Sequence, residues 1–210
     1  MKIAVVAAAG KAGRKIVREA KDRGFDVTAF VRKEAEIDGA DRITVRNLFD
    51  LTKDDLTGYD AVVDAFGVWT PDAIDLIPSA TVHLAEVLSG SETRLLVVGG
   101  AGSLYVNPEH TETVVDVTPF PEEAMPVVNG HGKALEKLRG FDDVKWTYIS
   151  PAGDFRADGD KTGKYILGGE ELTLNSKGES IISYADYAVA MVDEIEKGDH
   201  IRQRISVVSE

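Results

Sequence analysis

Several features are missing from this chain of 210 residues, and each absence excludes a class of protein. There is no cysteine, so disulfides, thiolate catalysis and cysteine-ligated metals are excluded. No apolar run approaches the roughly 20 residues of a membrane-spanning helix, and the apolar N-terminal stretch meets Lys11, Arg14 and Lys15 too soon for a secretion signal. Lysine and arginine number 24 against 36 aspartates and glutamates, which argues against nucleic-acid and anionic-membrane partners. We therefore expect a cytoplasmic protein, monomeric or homodimeric, with neither of these partners.

Histidine is also scarce, with 4 in the chain. His83 and Glu86 lie three positions apart on a predicted helix, but two ligands without a third do not make a metal site. We expect no metal.

The N-terminal segment carries the strongest pattern in the sequence. An apolar strand from Ile3 to Val6 breaks into small residues with Gly10 and Gly13, a helix follows over residues 11–23, and a second strand runs from Val27 to Val31. Strand, glycine turn, helix and strand form a βαβ unit, and a helix N-terminus exposed by glycines binds phosphate. This arrangement is typical of a nicotinamide-dinucleotide binder.

One position of the glycine turn departs from the usual dinucleotide-binding pattern. The spacing is Ala7-x-x-Gly10-x-x-Gly13, so alanine stands where glycine normally makes the tight turn. If this residue needs a positive φ, its side chain is strained. The other two glycines of the pattern are present: Gly10 allows the close approach of the pyrophosphate, and Gly13 allows close packing of the helix on the strand.

Arg32 distinguishes the two nicotinamide cofactors. NAD-binding units usually place an acid at the end of the second strand to hold the ribose 2′-hydroxyl, whereas this chain has Arg32 and Lys33, with Arg14 just inside the helix. Residues 1–33 hold nine Lys or Arg and three Asp or Glu, a net charge of +6, in a chain whose net charge is −12. We expect NADP(H), with Arg32 on the 2′-phosphate; the alternatives are NAD(H) and a solvated strand end.

The remaining sequence alternates strand and helix signals almost to its end, which predicts an α/β fold. We expect one doubly wound Rossmann domain over residues 1–210, with a mostly parallel sheet in the order 3-2-1-4-5-6 and small substrate-side elements in 104–126 and 154–182. The four proline residues of 104–126 favour an ordered loop or lid there. The further predicted strands are 42–45, 61–64, 95–98, 145–150, 164–167 and 204–208, and the further predicted helices are 73–88, 132–138 and 183–197.

Several short segments, in this order and spacing, resemble those of a known family. The chain is similar to the atypical short-chain dehydrogenase/reductase group of NAD(P)H-binding proteins, which includes flavin reductase (biliverdin reductase B)-like and NmrA-like proteins. The resemblance covers nearly the whole chain. The segments that carry it are 7–13, Val31-Arg32, 47–50, 64–67, 97–104, 146–151 and 182–188.

The resemblance implies a role for each matching residue. Gly10, Lys11, Ala12 and Gly13 are expected to wrap the pyrophosphate, and Arg32 to take the 2′-phosphate. The adenine is expected to meet Asn47 and Leu48, and the ribose to lie over Ala65, Phe66 and Gly67. The nicotinamide is expected to be flanked by Ser103 and by the turn Ser150, Pro151, Ala152 and Gly153.

One departure from the family bears on the chemistry. Members that use a general acid carry Tyr-x-x-x-Lys, and here Asn129-Gly130-His131-Gly132-Lys133 is expected to occupy that place without a tyrosine. Alcohol oxidation and sugar-nucleotide epimerisation by the usual mechanism are therefore disfavoured. Hydride transfer to a stacked flavin or quinone needs mainly positioning, because the cofactor carries the chemistry.

The catalytic candidates each have a structural alternative. Ser103 is either an acceptor contact or a turn residue, and Lys133 either touches the nicotinamide ribose or is solvated. His131 is a proton donor if its pKa stays near neutrality, and otherwise an exposed residue at a helix start. Trp69 and Tyr105 follow strand ends, where they either wall an acceptor pocket or belong to the core.

Two function classes remain open from the sequence. The first is an NADPH-dependent reductase of a flat acceptor such as a flavin or quinone. The second is a non-catalytic NADP(H)-sensing protein that regulates a partner through the loop at 104–126.

Overall fold

The N-terminal βαβ unit forms where the sequence predicts it. In the computed structural model, which describes all 210 residues, it consists of β1 (Lys2–Val6), α1 (Lys11–Asp22) and β2 (Asp26–Val31). Gly24 reverses the chain between α1 and β2 with a φ of +79°, a conformation that glycine adopts without strain.

The other elements follow in alternation along the chain. They are β3 (Arg42–Val45), α2 (Lys53–Leu56), β4 (Ala61–Asp64), α3 (Ala73–Leu88), β5 (Arg94–Val98), α4 (Val114–Val117), α5 (Met125–Leu138), β6 (Lys145–Ser150), β7 (Asp154–Arg156), β8 (Tyr165–Gly168), β9 (Ile181–Ser183), α6 (Tyr184–Lys197) and β10 (Gln203–Ser209). Short 3₁₀ turns stand at Leu48–Asp50 and Glu122–Ala124. No helix is long and apolar enough to cross a bilayer.

Eight of the strands form one sheet in the order β3-β2-β1-β4-β5-β6-β10-β8. All neighbours are parallel except β10 and β8, and β7 and β9 form a separate parallel pair. The predicted order 3-2-1-4-5-6 is confirmed, as is the doubly wound α/β class. Helices α1 and α6 pack together on one face, and α3 and α5 pack together on the other, so the central strands are buried on both sides.

The two ends of α6 are fixed as the sequence predicts. The Ser183 Oγ accepts a hydrogen bond of 3.0 Å from the Asp186 N–H, which caps the N-terminus of the helix. Gly198 ends the helix in the left-handed conformation, with a φ of +69°.

The prediction for α5 was wrong at its start. The helix begins at Met125 rather than at residue 132, and it includes Pro126 in its first turn, where proline needs no N–H partner. Gly130 is needed for packing, because a Cβ there would lie 2.6 Å from the Ala73 carbonyl oxygen of α3. Pro126 and Gly130 therefore do not interrupt the helix: Pro126 lies in its first turn, and Gly130 allows a close contact between α5 and α3.

Two short strands form the edges of the sheet. Both β3 and β8 are four residues long. Arg46 directly follows β3 and Lys164 directly precedes β8. Ile43 and Val45 of β3 are 42% and 52% exposed.

Candidate functional site

The glycine turn after β1 has the geometry that the sequence left in question. Ala7 has a φ of +59°, so an L-residue occupies the strained conformation that the first glycine of this motif usually takes. The Gly10 N–H donates to the Ala7 carbonyl oxygen at 3.0 Å and closes the turn. Gly13 is required by packing, since a Cβ there would lie 2.9 Å from both the Ala7 oxygen and the Ala8 Cα.

The N-terminus of α1 exposes donors for an anion. Gly10 is the N-cap and has no side chain to accept a hydrogen bond, and the first helical bond runs from the Arg14 N–H to the Gly10 oxygen at 3.0 Å. The N–H groups of Lys11, Ala12 and Gly13 have no partner within the protein. A helix end with unpaired N–H groups and a positive dipole attracts a phosphate.

A cleft with two lobes opens beside this helix end. The outer lobe, about 380 Å³, lies where β1, β2 and β3 end, and the inner lobe, about 490 Å³, lies between the glycine turn and α5. The lobes share Gly10 and residues 65–68. The outer lobe brings together the predicted residues Gly10, Arg32, Asn47, Leu48, Ala65, Phe66 and Gly67. The inner lobe adds Lys11, Ala12 and His131 to the shared residues.

Arg32 lies exposed at the outer lobe and makes no ion pair or side-chain hydrogen bond. Arg14, by contrast, ties two loops together by donating to the Ala9 oxygen at 3.1 Å and to the Glu36 oxygen at 2.7 Å. Arg32 is therefore the cation of this pair that remains available to a ligand.

The outer lobe also contains two residues that the sequence reasoning missed. Arg46 follows β3 directly beside Arg32, because Val31 and Val45 are paired and the Arg46 N–H donates to the Val31 oxygen at 2.8 Å. Phe49 is 40% exposed and meets Phe66 edge to face, with ring centroids 6.4 Å apart. The predicted strand order, which puts the ends of β2 and β3 side by side, was the signal that could have found them.

Asn47 and Leu48 form the start of the 3₁₀ turn at this lobe. The Asn47 Oδ1 accepts a hydrogen bond of 3.1 Å from the Phe49 N–H, and Leu48 is buried. One side chain shapes the turn and the other forms an apolar floor.

Asp64 supports the segment that both lobes share. Its carboxylate, 2% exposed at the end of β4, accepts from the Phe66 N–H at 3.0 Å and from the Thr81 Oγ1 at 2.8 Å. Burial raises the pKa of Asp64 to about 6, against the lowering effect of these two hydrogen bonds. Asp64 thus fixes the turn at 65–67 to α3.

Aromatic side chains line the inner lobe. Trp69 lines one part of the lobe and is 76% exposed. Phe155 and Tyr184 line another part, and their ring centroids are 4.0 Å apart. Burial raises the pKa of Tyr184, so its hydroxyl stays protonated. Tyr105, the other aromatic candidate, lies in a different groove and stacks on His110 at 4.3 Å.

His131 is the polar residue of α5 that faces the inner lobe. The Tyr148 hydroxyl donates to the His131 carbonyl at 3.0 Å and accepts from the Gly100 N–H at 3.0 Å, which fixes this turn of α5 to the loop after β5. The Nδ1 atom of His131 is buried without a hydrogen-bond partner. Burial lowers the pKa of His131 to about 4, so the ring is neutral at pH 7 and the expected pKa near neutrality is wrong. The alternative of an exposed residue at a helix start is wrong as well, because His131 lies inside α5 and lines the cleft. A role in proton transfer stays a prediction.

The expected motif position on α5 also differs from the structure. Val127 and His131, four residues apart, line the inner lobe, whereas Asn129 and Lys133 line a separate cleft of about 310 Å³. Ser103 lies in that second cleft, where its Oγ accepts from the Arg204 Nη1 at 3.2 Å. Of the three catalytic candidates, the structure brings only His131 to the inner lobe.

The residues of the predicted turn after β6 line neither lobe of the cleft. Ser150, Pro151 and Ala152 are buried, and the Ser150 Oγ has no partner. The Gly153 N–H donates to the Ser180 Oγ at 3.0 Å. Phe155, two residues further on, is the side chain that reaches the inner lobe.

The phosphate-binding turn, the doubly wound sheet and the cleft across the ends of its strands together define a nucleotide-binding Rossmann protein. Residues 7–197 match the family model described as NAD(P)H-binding. The chain belongs to this family, which confirms the resemblance seen in the sequence and a nicotinamide cofactor; the match does not distinguish NADP from NAD.

Relatives cover the whole chain. It is 43% identical over 212 residues to the uncharacterized protein YwnB of Bacillus subtilis (strain 168), covering 100% of this chain and 99% of YwnB. The crystal structure of SP1627 from Streptococcus pneumoniae TIGR4, named as a candidate NADH-flavin reductase, is 51% identical with a TM-score of 0.96 and full coverage of both chains. A candidate epimerase from Bacteroides thetaiotaomicron is 32% identical with a TM-score of 0.85, covering 99% of this chain and 96% of that one.

Proposed function

We propose that this protein is an NADPH-dependent reductase that transfers hydride to a flat acceptor such as a flavin or a quinone. The observation that carries the proposal is the inner lobe, which continues from the phosphate-binding turn and is walled by Trp69, Phe155 and Tyr184. Aromatic walls beside a nicotinamide position suit a planar ring that stacks. The candidate NADH-flavin reductase among the relatives supports the same class of acceptor.

The side chains of α5 favour hydride transfer without an obligatory proton relay. Val127 and His131 occupy the two positions of α5 that face the inner lobe, so neither a tyrosine nor a lysine acts from this helix. The hydroxyl in the lobe is that of Tyr184 on α6, which can orient a ligand or donate an optional proton. A carbonyl reductase or an epimerase needs a group that delivers or removes a proton at the reacting carbon or its oxygen. The neutral ring of His131 can accept or donate one hydrogen bond, which is enough to orient a ligand.

The proposed roles of the cofactor residues follow the two lobes. NADPH supplies the hydride when bound; the protein binds it, orients it and keeps water from the reacting atoms. We assign the adenosine end to the outer lobe, with the adenine near Asn47 and Leu48, and the nicotinamide end to the inner lobe. The further assignments are pyrophosphate at Gly10, Lys11, Ala12 and Gly13, ribose at Ala65, Phe66 and Gly67, and support of the nicotinamide by Ser150, Pro151, Ala152 and Gly153. The elements in 104–126 and 154–182 complete the acceptor side, where Ser103 and Lys133 act only if the second cleft takes part.

The preference for NADPH rests on the unpaired cations near the phosphate-binding turn. Lys11, Lys15, Arg32 and Lys33 make no ion pair in a chain with a net charge of −12. A phosphate bound by an arginine through charge-assisted hydrogen bonds contributes about 1.5–3 kcal/mol. NADPH should therefore bind about 10- to 150-fold more tightly than NADH. This preference is opposite to the cofactor in the name of the pneumococcal relative, so it needs a direct measurement.

Calorimetric titration of both cofactors tests the preference. Arg32→Ala should remove most of the difference and leave the NADH affinity nearly unchanged, since NADH has no 2′-phosphate. Arg42→Ala, at the opposite end of β3, is the matched control and should preserve the difference. The preference should also weaken as salt is raised. Equal wild-type affinities, or an equal loss of both cofactors in Arg32→Ala, would refute the assignment.

Steady-state oxidation of NADPH with a panel of flavins and quinones tests the reaction. We expect turnover with at least one flat acceptor and none with simple ketones. Tight NADP(H) binding without turnover on any acceptor would favour the sensing protein instead.

A further inference from the structure

We infer that Trp69 is the stacking platform for the acceptor ring, and that the acceptor is a fused heteroaromatic of the isoalloxazine type. This inference rests on the proposed reductase function and adds the subsite and the ring class to it. It is carried by the position and exposure of Trp69, by the wall formed by Phe155 and Tyr184, and by the size of the inner lobe.

The exposure of Trp69 is unusual for its residue type. Its side chain is 76% exposed, whereas the other tryptophan, Trp146, is 4% exposed and donates from its ring nitrogen to the Phe141 carbonyl at 3.1 Å. Tryptophan is normally among the most buried residues by area, and leaving it in water forgoes a large hydrophobic gain. An exposed indole at the mouth of a ligand cleft indicates a surface that a ligand covers.

The loop that carries Trp69 can adjust to a ligand. It joins β4 to α3, and the first backbone hydrogen bond after residue 66 links the Ala73 N–H to the Thr70 oxygen at 2.9 Å. Val68 and Trp69 make no backbone hydrogen bonds to the rest of the protein. The preceding turn is fixed by Asp64, and Val68 packs against the apolar cluster between α3 and α5, so Trp69 is the least restrained side chain of this segment.

The wall formed by Phe155 and Tyr184 is rigid by comparison. Phe155 packs on Tyr184 at 4.0 Å and on Tyr187 at 4.9 Å between ring centroids. Tyr187 is fully buried, and its hydroxyl donates to the Ile149 carbonyl at 2.7 Å. The inner lobe thus has an anchored aromatic wall and a less restrained indole, an arrangement that suits a flat ring.

The lobe is large enough for two ring systems. Its volume of about 490 Å³ falls in the range of sites that hold drug-sized ligands, so a nicotinamide leaves space for an acceptor ring. In the reaction the C4–H bond of NADPH breaks and its hydride bonds to N5 of the isoalloxazine. The two electrons of the hydride reduce the flavin, NADP⁺ remains, and water supplies the single proton that completes the reduced flavin at N1. No side chain must change protonation state, which agrees with a neutral His131.

The test measures FMN binding in the presence of saturating NADP⁺, where no turnover occurs. Excited in its own absorption band, bound FMN should be quenched by contact with the indole in the wild type and brighter in Trp69→Leu. We expect the FMN dissociation constant to rise about 5- to 150-fold in Trp69→Leu, the range for losing one aromatic stacking partner. Trp69→Phe should restore most of the affinity. Leu174→Ala, which changes another apolar side chain at 50% exposure, is the control and should bind like the wild type.

The possible results separate this inference from the proposed function. Turnover with FMN together with unchanged FMN binding in Trp69→Leu would overturn the Trp69 subsite and leave the reductase standing. FMN binding that depends on Trp69, without any reduction by NADPH, would keep the subsite and refute the reductase. Absence of FMN binding to the wild type would refute the isoalloxazine assignment, and turnover with quinones alone would then define the acceptor class. A loss of NADP⁺ affinity in Trp69→Leu equal to the loss for FMN would show that the indole serves the cofactor instead.

Discussion

Asp64 should make the protein less stable as the pH rises, and Asp64→Asn should remove this effect. The carboxylate is buried at the end of β4, and its pKa is raised from 3.8 to about 6. A carboxyl group whose pKa is higher in the folded state favours folding when it is protonated. Its contribution is therefore fully present below pH 3.8 and is lost as the pH rises through 6.

The magnitude follows from the two pKa values. A shift from 3.8 to about 6 corresponds to about 3 kcal/mol at 1.36 kcal/mol per unit, and most of this, about 2–3 kcal/mol, is expressed between pH 4 and pH 8. Asparagine has nearly the same shape, can accept from the Phe66 N–H and can donate to the Thr81 hydroxyl. The free energy of unfolding of Asp64→Asn, measured relative to the wild type, should accordingly increase by about 2–3 kcal/mol over this range.

The comparison of variant and wild type is essential because His131 has the opposite effect. Its pKa is lowered to about 4, so its contribution is present above pH 6.5 and is lost as the pH falls through 4. The two effects oppose each other in the wild-type profile, but His131 is common to both proteins and cancels in their difference.

Urea unfolding at intervals from pH 4 to pH 8 provides the measurement. Asp26→Asn controls for the change in net charge, because Asp26 is exposed and its carboxylate makes no hydrogen bond. If the difference in the free energy of unfolding between Asp64→Asn and the wild type stays constant with pH, then burial does not raise the pKa of the Asp64 carboxyl.

Further predictions concern the glycine turn and α5. Ala7→Gly should raise the free energy of unfolding by up to about 1 kcal/mol, because the strain of a left-handed alanine that is removed exceeds the entropy cost of glycine. Ala9→Gly should instead lower the free energy of unfolding by about 0.5–1 kcal/mol. Equal shifts of the two variants in urea unfolding would contradict the strain at Ala7. Tyr148→Phe should lower the free energy of unfolding by about 1–3 kcal/mol, since two backbone groups lose their partner, and an unchanged unfolding midpoint would show that water replaces the hydroxyl. His131→Ala and Lys133→Ala should each lower turnover by less than about 100-fold, the low end for a lost general acid or base; a loss near 10⁴-fold with normal NADPH binding would reveal an essential proton donor.

The sequence was sufficient for the sheet because its signals there are local. The runs at 3–6, 61–64 and 95–98 are nearly all apolar, a pattern typical of strands that are covered on both faces of the sheet. Ser183 and Gly198 are residue types that commonly cap the two ends of a helix. The strand order then follows from the handedness of the crossovers.

The register of α5 was not predictable in the same way. Gly130 and Pro126 both weaken the helix signal in the sequence. The structure accommodates Gly130 because it allows close contact with α3, and Pro126 because it lies in the first turn of the helix. Neither reason is visible in a sequence pattern. A lysine four residues after a polar residue is common on any helix surface. Only the packed helix shows that Val127 and His131, and not Asn129 and Lys133, face the cleft.

Arg46 and Phe49 were missed for a related reason. Both lie just past a short strand whose own sequence is unremarkable, and they matter because β3 lies beside β2. The predicted strand order places these strand ends side by side, so it could have indicated both residues, whereas the sequence around β3 alone could not.

The two edges of the sheet bear on how this protein avoids sticking to itself. An edge strand offers unpaired N–H and C=O groups to any other extended chain. Ile43 and Val45 of β3 are half-exposed, so their burial would stabilise such a pairing. Both edges are only four residues long, and the cations Arg46 and Lys164 adjoin them. A second sheet docking edge to edge would gain few hydrogen bonds and would have to remove water from the ion pairs of Arg46 with Asp55 and of Lys164 with Glu210. The fold can thus keep an apolar edge beside its cofactor cleft without exposing a template for aggregation.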